Sequence, residues 1–184
     1  MPSTLLSKNR IVVRKEDVKR FGNSDTVSLE KILQDKSLRM GRSSKISNGK
    51  EADAVIKKYE SQANIFYRKG TNVLEGLLQM LLKKRIDYVI TLPFSAEYVL
   101  KPHEKEKLAY LKLKESQESI IYYSLCAKTE WGREVIGKIE AFLQKERQTE
   151  QYRSYMERWM PAEILKDYRH TYDTEFLKAE GVPK

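Results

Sequence analysis

The sequence predicts an α/β fold, with a mostly parallel, five-stranded sheet carrying helices on its faces. Three observations support this. Residues 38–113 alternate short apolar runs with amphipathic stretches of helical period, the order of parallel strands joined by crossover helices. Residues 71–90 show the pattern most plainly. Leu74, Leu77, Leu78, Leu81 and Leu82 form an apolar helical stripe, Lys83-Lys84-Arg85 makes a basic turn, and Tyr88-Val89-Ile90 reads as a buried strand. The closing part of the chain changes character, to helices with aromatic stripes.

Taken in order, residues 1–10 are polar and expected to fray. Ile11-Val12-Val13 is a short β-branched strand, followed by a polar connection ending at Phe21-Gly22-Asn23. Ser28 stands at an N-cap position before a short helix through Gln34, with Leu29, Ile32 and Leu33 inward. Residues 38–41 form the next strand, residues 42–49 a serine-rich turn, and a helix starts near Lys50 with Ala52, Val55, Ile56 and Tyr59 on one face.

Ile65-Phe66-Tyr67 is a strand, and the leucine-striped helix follows. Residues 88–92 are a strand stopped by Pro93, with a short helix over residues 95–100 and another strand over residues 108–113. The long apolar run of residues 120–127 reads as a strand buried on both faces. Thr129 caps a helix whose Trp131, Val135, Ile136, Ile139, Phe142 and Leu143 are expected to be buried. Tyr152, Tyr155, Met156 and Trp159 form one further stripe; beyond Pro161, Ile164, Leu165, Tyr168 and Tyr172 form another.

Composition narrows the function classes. The chain has 184 residues, 40% hydrophobic and 33% charged, as expected of an ordinary globular protein. No apolar run approaches the ~18–20 residues that cross a bilayer, and the sequence as given opens without an export signal. A single cysteine, Cys126, rules out an internal disulfide and reads as a small buried apolar residue. The net charge of +9 is spread among acids and accompanied by no nucleic-acid-binding motif, so a solvated surface and no nucleic-acid partner are expected. His103 and His170 lack metal-ligand spacing, and no catalytic or nucleotide-binding motif appears. We therefore expect no catalytic residues, metal or cofactor.

What the chain does offer is one edge of a parallel sheet, where such folds bind ligands. Arg42, Ser43 and Ser44 lie in a strand-to-helix turn rich in donors, which suits either an anion or simple helix capping. Thr71 and Asn72 open the next helix at the equivalent level, and Thr91 ends the following strand. Their convergence makes this edge the candidate site.

The ordered series Val12-Val13-Arg14-Lys15, Ser28-Leu29-Glu30-Lys31-Ile32-Leu33, Leu38-Arg39-Met40-Gly41-Arg42-Ser43-Ser44, the leucine helix, Arg85-Ile86-Asp87-Tyr88-Val89-Ile90 and Tyr122-Tyr123-Ser124-Leu125-Cys126-Ala127-Lys128-Thr129 resembles bacterial extracellular solute-binding proteins of family 3. These are the amino-acid-binding, type II periplasmic proteins. Trp131-Gly132-Arg133 and the tyrosine-rich residues 168–173 resemble an uncharacterised branch of them.

The resemblance implies a non-enzymatic binder of a small polar or anionic solute, with a membrane transporter or sensor as partner. Residues 1–37 would be a partial first-lobe segment and first crossing, 38–118 a complete second lobe, and 119–184 the second crossing and returning helices. Ligand contacts would come from Arg42, Ser43, Ser44, Thr71, Asn72 and Thr91, with Tyr122 added from the second crossing. Where amino-acid receptors carry an aspartate for the ligand's amino group, this chain has Thr91-Leu92-Pro93. A full-length form with a leader would be periplasmic. Homodimerisation through exposed C-terminal helices is expected if the first lobe is absent. The alternative is an intracellular ligand-sensing or protein-interaction module.

Overall fold

A computed structural model describes residues 2–44, 46–116 and 119–180. In chain order the elements are β1 (Pro2–Leu6), β2 (Arg10–Arg14), a short 3-10 helix (Lys15–Phe21), β3 (Thr26–Val27), α1 (Leu29–Gln34), β4 (Met40–Ser43), α2 (Lys50–Tyr59), β5 (Ile65–Arg68), α3 (Val73–Leu82), β6 (Tyr88–Thr91), α4 (Pro93–Val99), α5 (Pro102–Lys105), β7 (Leu108–Leu113), β8 (Ile120–Tyr123), α6 (Glu130–Glu146), α7 (Glu150–Glu157), α8 (Ala162–Thr171) and a closing π turn (Tyr172–Phe176). They form two compact units, Lys8–Glu118 and the pair of segments Met1–Ser7 with Ser119–Lys184.

The larger unit is a six-stranded sheet in the order β3-β7-β2-β6-β4-β5. Five strands are mutually parallel, and β2 runs against both its neighbours. The expected mostly parallel sheet is present, with one more strand than expected. Ile11, Val12 and Val13 have no solvent exposure because β2 lies mid-sheet and is covered on both faces. Ile11 and Val13 join the core formed with α1 and α2, while Val12 joins the core formed with α3 and α4. Hydrogen bonding to β6 and β7 places Ile11–Arg14 inside the larger unit. Residues 15–37 belong to that unit too.

Ser28 sits at the N-cap of α1, but its side chain makes no capping bond. Instead the Glu115 carboxylate, beyond the end of β7, accepts from Leu29 N–H at 2.9 Å and from Ser28 Oγ at 3.0 Å. An acid at a helix N-terminus meets both the free N–H groups and the helix dipole. Gly41 in β4 lies directly beneath α3. A Cβ there would overlap Ile86 and crowd Leu77 and Val89.

On the side where β6 begins, Asp87 is almost wholly buried and receives three arginines. Arg14 Nη2 donates to it at 3.1 Å, Arg20 Nη1 at 2.9 Å, and Arg39 at 2.9 Å from both Nε and its backbone N–H. Arg14 also donates to the carbonyls of Leu81 and Ile86, and its ion pair with Asp17 supplies a second acid.

In the smaller unit β1 pairs antiparallel with β8. This corrects the expectation that residues 1–10 fray, since Leu5 is fully buried and the helices hold its strand. Tyr152 Oη donates to the Ser3 carbonyl and Tyr168 Oη to that of Leu5. The strand expected over residues 120–127 stops at Tyr123. It is not buried on both faces: Ile120 and Tyr122 are exposed, as is Leu125, and Cys126 is half-buried. Thr129 does cap α6, accepting from Gly132 N–H at 3.1 Å. Trp131 and Phe142 of that helix are exposed rather than buried, whereas Leu143 points inward.

Tyr168, Tyr172 and Phe176 are buried within the unit itself. The side chain of Arg147 caps the carbonyls of Phe176, Leu177 and Ala179. These three rings therefore form no exposed dimer surface, whereas Tyr155 and Trp159 are exposed.

Two outcomes are expected. Replacing Asp87 with Ala leaves buried arginine charge without its counterion and should cost about 3 kcal/mol in denaturant unfolding. Burial opposes ionisation of Asp87, but bonds from Arg39 and Arg20 outweigh it and hold the carboxyl far below its ordinary 3.8. With the folded pKa lowered, this stabilisation is complete above about pH 4 and lost progressively at lower pH; Asp87→Asn should flatten that acid limb of the melting curve. Gly41→Ala should cost about 1–3 kcal/mol through overpacking, checked by the same unfolding experiment.

Candidate functional site

The ends of β4, β5 and β6 come level by register. Ser43 of β4 pairs with Arg68 of β5, and Gly41 pairs with Val89, so two residues on Ser43 stands beside Thr91. Thr91 pairs with Arg10, Arg10 with Lys112, and Lys112 with Thr26. One row of polar residues therefore crosses the sheet at a single edge.

The connections leaving this edge diverge. The helix after β4 is α2, whose Ala52 and Ile56 pack on the face holding Ile11 and Val13. The helix after β6 is α4, whose Ala96 packs on the opposite face with Val12. Adjacent parallel strands with helices leaving to opposite faces open a crevice at their carboxyl ends, the place where open α/β sheets take ligands. Here that crevice lies between Ser43 and Thr91.

The turn after β4 is held from below by Asp53 in the first turn of α2. Asp53 pairs with Arg42 Nη2 at 3.3 Å and accepts from Asn48 N–H at 3.1 Å and from the Ser47 hydroxyl. Asn48 is buried. Its side chain donates to the Ile90 carbonyl at 3.4 Å, and its own carbonyl accepts from Asn9 at 3.2 Å. These bonds tie the turn to β6 and to the approach of β2. Arg42 Nε remains buried with no acceptor among the described residues. A buried donor without an acceptor is costly.

The residues expected at the site separate into groups. Ser43 and Thr91 come level at the ends of β4 and β6, with Ser43 buried and engaged, whereas the Arg42 side chain turns to Asp53 of α2. Ser44 is exposed on the turn, and Lys45 beside it lies outside the described residues. Thr71 and Asn72 are exposed one strand further out, after the edge strand β5, where Asn72 takes a left-handed conformation with φ 50°. Tyr122 is half-exposed in β8, in the smaller unit. Sequence reasoning missed Asp53, Asn48, Asn9 and Arg10. An acid in the first turn of a helix after a basic strand end was the available signal for Asp53; the other three became visible only through strand order. Among the described residues no group of three or more His, Cys, Asp or Glu is placed to hold a metal, and no helix is long and apolar enough to cross a membrane.

Comparison with protein-family models and with curated proteins finds no match. Solved structures do match. An ancestral cationic amino-acid solute-binding protein, AncCDT-1, is 14% identical over 87% of this chain and 60% of its own, with a TM-score of 0.60. The amino-acid ABC transporter substrate-binding protein AbpA of Streptococcus pneumoniae, bound to L-arginine, is 16% identical over 86% of this chain and 59% of its own, TM-score 0.51. A structure from a description of glutathione import via GshT and the cystine ABC importer TcyBC of Streptococcus mutans is 12% identical, covering all of this chain and 63% of its own, TM-score 0.51.

What these proteins share with the chain is the fold. It is the type II periplasmic-binding-protein fold of amino-acid solute-binding proteins, and the chain spans about 60% of their length.

Removing the anchor of the turn gives a direct check on the site. Asp53→Ala should speed amide hydrogen exchange at Asn48 and Gly49 by roughly tenfold or more, the loss of one to two charge-assisted hydrogen bonds.

Proposed function

We propose that the chain binds a small polar or anionic solute at the crevice between β4 and β6, without transforming it. The observation that carries this reading is the crevice at the ends of β4 and β6, where the helices after the two strands part to opposite faces, with the acceptor-free Nε of Arg42 on the α2 side of β4. Arg42, Ser43, Ser44 and Thr91 supply donors there, and Thr71 and Asn72 extend the polar edge outward. Tyr122 is proposed as a further ligand contact from the second crossing. No acid stands at the end of β6, so selection of an α-amino group is not expected from this edge.

The neighbours of known structure include proteins named as amino-acid solute-binding proteins. On that likeness we propose a role in solute transport or sensing, with a membrane transporter or sensor as partner and a periplasmic setting for a full-length form with a leader. The three-part division at residues 37 and 118 is likewise proposed as the lobe structure of that longer protein. A second reading, an intracellular sensing or protein-interaction module, is favoured by the exposed Trp131, Phe142 and Leu125 of the smaller unit.

Thermal-shift and calorimetric titration against amino acids, small peptides and organic anions separates these readings. A saturable solute, unchanged after incubation, is expected for the first. Its affinity should fall roughly tenfold in Arg42→Ala and in Ser43→Ala while the melting temperature changes little, as for loss of one charged hydrogen bond. Equal affinity in both variants would remove the crevice from consideration, and binding of protein partners alone would favour the second reading.

A further inference from the structure

A groove of about 390 Å³ runs along α3, lined at helical spacing by Gly76, Met80 and Lys83 and flanked by Arg68 and Arg85. Arg68, the last residue of the edge strand β5, lays its guanidinium against Gly76. A Cβ at that position would overlap Nε and Cζ. A glycine inside a helix costs about 1 kcal/mol relative to alanine, and here it leaves the space that the guanidinium fills. Arg68 Nε is buried with no hydrogen-bond partner, and Arg68 makes no ion pair among the described residues. At the far end, Arg85 N–H donates to the Met80 carbonyl at 2.9 Å, which fixes the basic turn against the helix. The side chains of Lys83 and Arg85 are exposed and form no ion pair among the described residues, whereas the neighbouring Lys84 is paired with Glu16. Three cations thus face one acid, Glu75, in the lining.

The cations sit at the two ends of the groove. From Gly76 to Lys83 is seven residues of helix, a span of about 10 Å, with the Met80 side chain between. Positive charge at both ends of a trough whose middle is lined by Met80 and by Gln79, the latter already donating to Glu104, selects negative charge at both ends of an elongated ligand. We propose that this groove is a binding site for an elongated small dianion whose acidic groups lie about 10 Å apart. Neither Arg42 nor Thr91 of the crevice between β4 and β6 lines it, although Asn72 at the outer end of that polar edge does.

The probe is a series of linear α,ω-dicarboxylates, from succinate to dodecanedioate, with monocarboxylates of equal length, titrated into the full chain by calorimetry and amide chemical-shift mapping. Affinity should peak at an intermediate length, with shifts concentrated over residues 68–85, and the matching monocarboxylate should bind about tenfold more weakly for want of one charged contact. Arg68→Gln and the double change Lys83→Gln with Arg85→Gln should each weaken the best diacid by a similar factor, Glu75→Gln should strengthen it, and Arg42→Ala should leave it unchanged. Lys83 and Arg85 are exposed, so the double variant carries the test even if Arg68→Gln unfolds the chain. Affinity independent of chain length, absence of saturation, or shifts centred on residues 42–49 would each overturn the proposal.

Discussion

One buried carboxylate, that of Asp87, sets the geometry of the larger unit. Arg14 comes to it from the end of β2, Arg20 from the 3-10 helix and Arg39 from the residue preceding β4. The 3-10 helix follows β2 directly, but Arg39 enters from a separate segment and Asp87 from β6's approach, so the shared counterion fixes their spacing. The arrangement is one-sided in charge, and Asp17 offsets part of the excess by pairing with Arg14. Buried charge held this way stabilises little in itself against an apolar alternative, but it penalises every arrangement that leaves an arginine unmatched. The strands are therefore pinned at the edge where β6 begins, and the opposite edge is left to loops.

Those loops show the complementary principle. The turn after β4 is not a loose run of serines; Asp53 and Asn48 consume most of its donors in holding its shape. Little is left over at this edge among the described residues: the exposed Ser44, Thr91 across the crevice, and the buried Nε of Arg42 without an acceptor. A site with few free donors on a rigid frame spends little conformational entropy on binding, and its selectivity rests on shape more than on charge count.

Much of the larger unit was legible in the sequence because its signals are local. The leucine stripe of α3, the run Tyr88–Ile90 and the proline after β6 each declare an element without reference to the rest of the chain. The position of Ile11–Val13 was not legible, since a β-branched triplet looks the same at the centre of a sheet as at a crossing. Only pairing with β6 and β7 decides it. The apolar run at residues 120–127 misled for a related reason: hydrophobicity implies burial on two faces only when elements pack over both, and Ile120, Tyr122 and Leu125 stay exposed. At the edge where β4 and β6 end, residue types alone single out Arg42, Ser43 and Thr91 as polar groups. Asp53 and Asn48 act through contacts at sequence separations that a motif cannot hold, as with the bond from Asn48 to Ile90.

The pairing of β1 with β8 also has a bearing on how the chain comes to be folded. Ser3 and Tyr122 touch across a separation of 119 residues. Between them lies the whole of the larger unit, whose strands can find one another as soon as β7 is made. At translation speeds of roughly 5–20 residues per second, β1 exists without its partner for on the order of ten seconds. Through that interval Leu5 has no core to enter and the strand has two open edges. The segment synthesised ahead of the sheet is thus among the last to be placed, and the ribosome, not the hydrophobic effect, sets the earliest moment at which the smaller unit can close.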